Sequence, residues 1–360
     1  MITLEECAEY QRLYDVFRDH YDEGIQILKE ILGDETRKAQ LEEATKIVAE
    51  AAHAVDLKTA PIAPNPAIRY FACLANLPRM RNGYLNRGFS VEEVERMMGC
   101  FGGSLNSSMY REGVFGYNLT YIWWTGLFIT NEIFKFGDKE FELRTYTNKV
   151  TWLRHKETLE IRPLLMGGAI HKSGNILGSG GCTDEEGSFK VTFEETETAF
   201  IGNKIEDGLV YPETITYEKK DWNLFLKPGD PVIAFHFPNK ADISVEGLNA
   251  FFRDGLQAIR ERYPEYKPVC YSCSSWLLDT KMQRFLKPTS NIVGFQNMMY
   301  TVPQKSDGMG VFGFVLPPSL KDDFSALPEN TSLERGLKKL YLDGDRIYNR
   351  FGVRPFDLCR

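Results

Sequence analysis

His236 stands near the end of an apolar run, Val232 to Phe237, that reads as a continuous strand. Side chains alternate between the two faces of a strand, so Val232, Ala234 and His236 point the same way. An imidazole on a face that lines an opening can take the proton of an attacking group at neutral pH. The plainer reading is a core histidine bonded to backbone. A second strand, Val269 to Ser274, brings Cys273, Ser274 and Ser275 to its end, where they would face His236 across the same opening. There the thiolate of Cys273 can attack an acyl group, and Ser275 can donate to an oxyanion or a departing thiolate. A strand-end cysteine is also an ordinary small buried hydrophobe.

Two other patterns carry less. Cys270 and Cys273 have the spacing of a redox or zinc pair, but residues three apart on a strand project to opposite faces, and no second pair completes a site. No metal is expected. Gly174, Gly178, Gly180 and Gly181 make a glycine-rich stretch that no Gly-Lys-Ser/Thr follows, so they read as surface turns rather than a phosphate loop.

The elements that must position these groups follow from periodicity. Residues 1 to about 110 read as helical, with Leu41, Ala44, Ile47, Val48, Ala51, Ala52 and Val55 forming one stripe between Glu35 and Asp56. The run Pro61 to Pro66 breaks the chain. Ser90 and Glu93 form a capping box, with Phe89 and Val94 as a hydrophobic staple, and Gly102-Gly103 is expected to end or bend the helix that follows. Around Gly137-Asp138 the period changes to alternation and suggests either a hairpin or the entry of a strand. Residues 150 to 235 read as short strands separated by turns.

After Pro228 the order is β-α-β-α-β-β. Val232 to Phe237 leads to a helix capped by Ser244 and stopped by Pro264, then Val269 to Ser274, a short helix from Leu277 to Leu286, and two long strands, Asn291 to Val302 and Met309 to Leu316. A last helix opens on a Thr331/Glu334 capping box and presents Leu333, Leu337, Leu340 and Tyr341 on one face. The fold class is α+β, with a helical domain at 1–133 and a mixed sheet flanked by helices at 134–360.

A net charge of −7 disfavours phosphate backbones and anionic lipid as partners, so neither nucleic acid nor membrane is expected. The apolar window Tyr121 to Phe134 is too short and too interrupted to span a bilayer. Seven cysteines at irregular spacing do not make a disulfide framework, and Met1 to Cys7 reads as the start of a helix rather than a secretory leader. A cytoplasmic location is the expectation.

Four segments resemble a known family. They are Gly229-Asp230-Pro231-Val232-Ile233-Ala234-Phe235-His236-Phe237-Pro238, Cys273-Ser274-Ser275-Trp276-Leu277-Leu278-Asp279, Ser290-Asn291-Ile292-Val293-Gly294-Phe295-Gln296 and Leu327 to Leu333. They are similar to acyltransferase-domain proteins that join an N-acyltransferase N-terminal domain to a GNAT-like C-terminal domain. Ala72 to Pro78 and Gly126 to Leu143 agree, so the resemblance runs from about residue 70 to 345.

The resemblance implies acyl-CoA as co-substrate, an acetyl group in the simplest case, and a small-molecule acceptor such as an amine. It also implies where the diphosphate would lie, at the junction of a strand with a helix whose free amides point at the anion. Here Phe235, Phe237, Asn239, Lys240, Ala241, Asp242, Ile243 and Ser244 occupy that junction, and His236, Cys273 and Ser275 are the catalytic candidates. The chain departs from the family pattern in two ways. No glycine lies between Pro238 and Gly247, and the segment Leu277 to Leu286 lacks the tyrosine that would protonate the leaving thiolate, leaving Tyr271 or Tyr300 as substitutes. A ligand-binding module without catalysis and a Cys/His hydrolase are the competing readings.

Overall fold

The computed structural model describes residues 1–238 and 240–359, without the side chain of Cys359. The chain divides into two compact units: residues 1–142 with 259–264, and residues 143–258 with 265 onward.

The first unit is helical and ends in a hairpin. Its helices are α1 (Leu4–Tyr14), α2 (Tyr21–Leu32), α3 (Glu35–Glu50), α4 (Pro66–Ala75), α5 (Leu77–Asn86), α6 (Val91–Met98), α7 (Cys100–Glu112) and α8 (Leu119–Ile129). The antiparallel strands β1 (Ile133–Phe136) and β2 (Lys139–Thr145) turn at Gly137, whose φ of 63° is the left-handed conformation glycine adopts without strain. Phe17, Tyr70, Phe71 and Phe115 pack edge to face and stacked at the centre, with the Tyr70 hydroxyl donating to the Val16 carbonyl at 2.9 Å. The α6 boundary is the expected one, with both halves of the Ser90/Glu93 capping box made and Phe89 and Val94 buried.

Two expectations are corrected here. The stripe over Glu35 to Asp56 holds only to Glu50, and Val55 lies beyond it, 59% exposed, because a short turn at Ala54–Lys58 replaces further helix. Gly102-Gly103 does not break the chain either: α7 runs through both residues and ends at Gly113 in the left-handed conformation. Gly102 serves packing instead, since a Cβ there would stand 2.4 Å from the Asp15 carbonyl oxygen.

The second unit holds β3 (Val150–His155), β4 (Ile161–Leu165), β5 (Ala169–Ile170), β6 (Phe189–Lys190), β7 (Phe193–Glu195), β8 (Ala199–Glu206), β9 (Leu209–Glu218), β10 (Trp222–Leu226), β11 (Pro231–His236) and α9 (Val245–Arg262). Then come β12 (Cys270–Ser275), α10 (Asn291–Asn297), β13 (Tyr300–Pro303), α11 (Ser332–Leu342) and β14 (Arg350–Pro355). Strands β3 to β10 form small antiparallel sheets, as the alternating, turn-punctuated sequence there predicts. The sheet that matters for the site runs β11-β12-β14-β13, with β11 and β12 parallel and the other pairs antiparallel. Val232, Cys270, Val302, Phe351 and Val353 share a core with Tyr146 and Trp152 on one side of it.

The C-terminal order differs from the expected one. Asn291 to Val302 is not one strand but α10 followed by β13, and Gln296 in that helix is buried and donates to the carbonyls of Leu277 and Asp279 at 2.9 and 3.0 Å. Leu277 to Leu286 forms two 3-10 turns, Trp276–Leu278 and Thr280–Arg284, capped by Ser275 and Asp279. Met309 to Leu316 makes only isolated bridges, because Gly308 and Gly313 adopt left-handed turns and Val311 and Leu316 bury against α11. The last sheet strand is β14, buried at all six positions, which the apolar pattern hides behind two arginines, a glycine and a proline.

Candidate active site

Strands β11 and β12 pair, among the described residues, at Ile233 with Tyr271 and Ala234 with Ser272. Partners across a ladder share a face, so this register assigns every neighbouring side chain. His236 lies on the face of Ala234, Ser272 and Ser274, whereas Phe235 lies with Tyr271 and Cys273 on the other. The ladder stops at Ala234 and Ser272, so Phe235 and His236 extend beyond it while Cys273 to Ser275 continue along β14.

On the His236 face a cavity of about 110 Å³ opens, walled by Val232, Ser272, Ser274, Gln304, Tyr146, Phe351 and the segment Arg144 to Asn148. Ser274 Oγ donates to Gln304 Oε1 at 2.5 Å, so the wall is polar and ordered. The cavity meets β11 at Val232, while His236, half-buried, stands at the far end of that strand. Ser274 is placed facing His236 by the sequence, whereas neither Ser272 nor Gln304 stands out there as a candidate. The signal that finds them is the strand register, which no single segment contains.

The register also separates Cys273 from His236. Cys273 is 4% exposed, and burial pushes its thiol up to about 12. A thiol so protonated is a poor nucleophile. Cys270 lies on the face opposite Cys273, its thiol raised by burial above all, so the pair cannot share a metal, and among the described residues no group of three or more His, Cys, Asp or Glu suits one. Iodoacetamide should therefore leave Cys273 unlabelled in the folded protein and label it after denaturation, read by mass spectrometry of the peptide. Rapid native labelling would reinstate a reactive thiol.

Ser275 accepts from the Leu277 amide at 3.1 Å and so caps a turn. Tyr271 donates to the Phe252 carbonyl at 2.5 Å and packs on the Phe252 ring, a structural role; Tyr300 is half-buried at the start of β13.

The turn from β11 into α9 is held by its own side chains. Asp242 accepts from the Ser244 amide at 2.8 Å and from the Ser244 hydroxyl at 3.0 Å, while Ser244 Oγ accepts from the Gly247 amide at 3.1 Å. The Ala241 amide donates to the Pro238 carbonyl at 3.1 Å. Ser244 is thus the helix cap that its type predicts. The Asp242 carboxylate lies against the first turn of α9, 2.2 Å from where a Gly247 Cβ would stand. Lys240 is exposed with a φ of 70°, and Ile243 is half-buried. Phe235 packs against Phe237, Phe252 and Phe295 at 5.0 to 6.1 Å between ring centres, so its side chain belongs to the core, whereas Phe237 is only half-buried. Asn239 lies outside the described residues.

No helix among the described residues is long and apolar enough to cross a membrane. Among curated proteins, none matches the chain in sequence. Among solved structures, the chain is similar in fold to an acyltransferase mutant in complex with octanoyl-CoA, at 15% identity and a TM-score of 0.64, covering 99% of this chain and 89% of that one. It is similar likewise to an acyltransferase in complex with decanoyl-CoA, at 16% identity and a TM-score of 0.62, with the same coverage of 99% and 89%. A third structure, an acyltransferase in complex with decanoyl-CoA and teicoplanin, has 16% identity, a TM-score of 0.60 and again 99% and 89% coverage. The sequence itself matches the model of the GNAT-like C-terminal domain from residue 133 to 354, a stretch that holds all of the sheet just described but its last residue, and the chain belongs to that family.

Proposed function

We propose that the chain is an acyltransferase that takes its acyl group from acyl-CoA and passes it to an amine of a small-molecule acceptor. The supporting observation is the β11/β12 pair, whose parallel ladder ends early and leaves His236 on the same face as a small polar cavity. Family membership and the fold shared with acyltransferases in complex with octanoyl-CoA or decanoyl-CoA point the same way.

In this reading the acceptor amine attacks the thioester carbonyl directly. The new C–N bond forms, the C–S bond breaks, the amine proton passes to His236, and coenzyme A leaves as its thiol after taking up one proton. Direct attack is preferred to an acyl-cysteine because Cys273 is protonated, buried and on the wrong face.

The acyl group fits best as a short one. A cavity of about 110 Å³ with Ser272, Ser274 and Gln304 in its wall has room for an acetyl group and is too small for a decanoyl chain. Consumption of acetyl-, octanoyl- and decanoyl-CoA against a panel of primary amines tests both statements. Acetyl-CoA should turn over fastest. A decanoyl preference would remove this cavity as the acyl seat, and no consumption with any amine would remove the acyltransferase reading.

One observation favours a second reading, a ligand-binding module without chemistry. The Asp242 carboxylate and Ser244 hydroxyl already occupy amides at the α9 entrance that a diphosphate would use. Saturable CoA binding without turnover would support that reading.

A further inference from the structure

The α9 side of the same sheet carries a second cavity, of about 460 Å³, walled by Val245 and Asn249 from the start of α9, Met298 and Tyr300 after α10, and Arg354 and Leu358 at the end of the chain. Arg354 pairs with Tyr271 across the β12/β14 ladder and so lies beneath α9, 5% exposed. Its Nη1 donates to the Met298 carbonyl at 3.1 Å, and its Nη2 donates to Asn249 Oδ1 at 3.1 Å and to the Leu358 carbonyl. Its Nε is buried with no hydrogen-bond partner.

Every one of these acceptors is neutral. Arg350, four positions earlier on the same strand, faces the Asp279 carboxylate at 3.6 Å, and Arg154 pairs with Asp357. A buried cation with no counter-anion among the described residues is costly, and an anion bound at the cavity wall would offset that cost. The remaining wall suits what such an anion would be attached to. Tyr300 offers a ring on which a purine can stack, and Met298 beside it offers a soft, adaptable surface.

We infer that this cavity binds a phosphate ester of a purine nucleotide, the phosphoadenosine end of acyl-CoA, with Arg354 supplying the charge. The inference rests on the acyl-CoA reading above, and it places the anchoring charge on β14 rather than at the α9 entrance, where Asp242 would oppose it. Arg354 acts here as a binding and positioning residue and touches no reacting atom.

Calorimetric titration of the full chain with CoA, pantetheine and adenosine 3′,5′-bisphosphate tests it, using Arg354→Met and Asn249→Asp. The aspartate keeps the hydrogen bond to Arg354 and supplies the missing negative charge, so that variant should melt no lower than the parent. It should nevertheless bind CoA and the bisphosphate about 10- to 100-fold more weakly, with pantetheine binding unchanged. Arg354→Met should show the same selectivity, and if it fails to fold, Asn249→Asp decides alone. Unchanged CoA and bisphosphate affinity in Asn249→Asp would overturn the inference, as would a parent protein that binds pantetheine as tightly as CoA. Bisphosphate binding that responds to Asn249→Asp in a protein without acyl turnover would uphold this site and sink the acyltransferase reading. Turnover with variant-insensitive CoA affinity would do the reverse.

Discussion

Replacing His236 with alanine should lower acyl transfer by about 100- to 10,000-fold while leaving CoA affinity within a factor of about two, because a general base contributes to the transition state and little to the ground state. The side chain sits at the last position of β11, past the end of the ladder with β12, so its removal disturbs no strand pairing with that neighbour. A further readout separates a base from a merely structural histidine. Added imidazole should restore part of the lost rate, whereas a packing defect would not respond to it. A variant with normal turnover would exclude His236 as the base and leave the Ser272, Ser274 and Gln304 wall to account for any catalysis.

The largest effect on stability is expected at Asp279. Its carboxylate is fully buried, accepts from the Tyr348 amide at 2.8 Å and the Lys281 amide at 3.2 Å, and is the only carboxylate paired with Arg350 among the described residues. Arg350 is 2% exposed and in turn donates to the Gly208 carbonyl at 3.0 Å, tying β14 to the turn between β8 and β9. Asp279→Ala leaves a buried guanidinium and a buried amide unpaired, which should cost about 3–5 kcal/mol, or roughly 6–20 °C in the melting of the second unit. Replacing both partners, Asp279→Leu with Arg350→Met, should recover much of that loss, since a well-packed apolar pair avoids the desolvation of two charges. Calorimetric melting of the parent and both variants measures this. A single variant within about 1 kcal/mol of the parent would mean that water reaches the pair and screens it.

The Asp279 and Arg354 results bear on different properties of one strand. Both arginines of β14 are buried under the same sheet, yet one has a carboxylate partner within the fold and the other has, among the described residues, only carbonyls and an amide. Mutating the first should change folding with little selectivity among ligands. Mutating around the second should change ligand selectivity with little effect on folding, and finding both effects at both sites would argue against a binding role for Arg354.

Features set by neighbours in the chain were legible in the sequence. The capping boxes at Ser90/Glu93 and Thr331/Glu334, the Gly137 hairpin, the Ser244 cap and the β11-α9-β12 order all depend on residues a few positions apart, and all are present. Local hydrogen bonding and alternation determine them before any long-range contact forms. The family could be named for the same reason, because its segments keep their order along the chain. Apolarity alone does not fix the type of an element. Asn291 to Val302 and Met309 to Leu316 are apolar because they are buried, and burial does not distinguish a strand from a short helix or a glycine-held turn. β14 escapes the apolar pattern for the opposite reason, since its two arginines are buried by partners from distant parts of the chain.

The site shows the same division. His236 could be picked out because its type, its place at a strand end and the loop beside it are all local. That Cys273 faces away from it, that Ser272 lies with Ser274 on its face of the sheet, and that Asp242 lies over the α9 entrance follow only from the register of β11 on β12 and the path of the turn. One step of register exchanges the two faces of a strand, so the tertiary pairing, not the residue list, decided which of the candidate groups could act together.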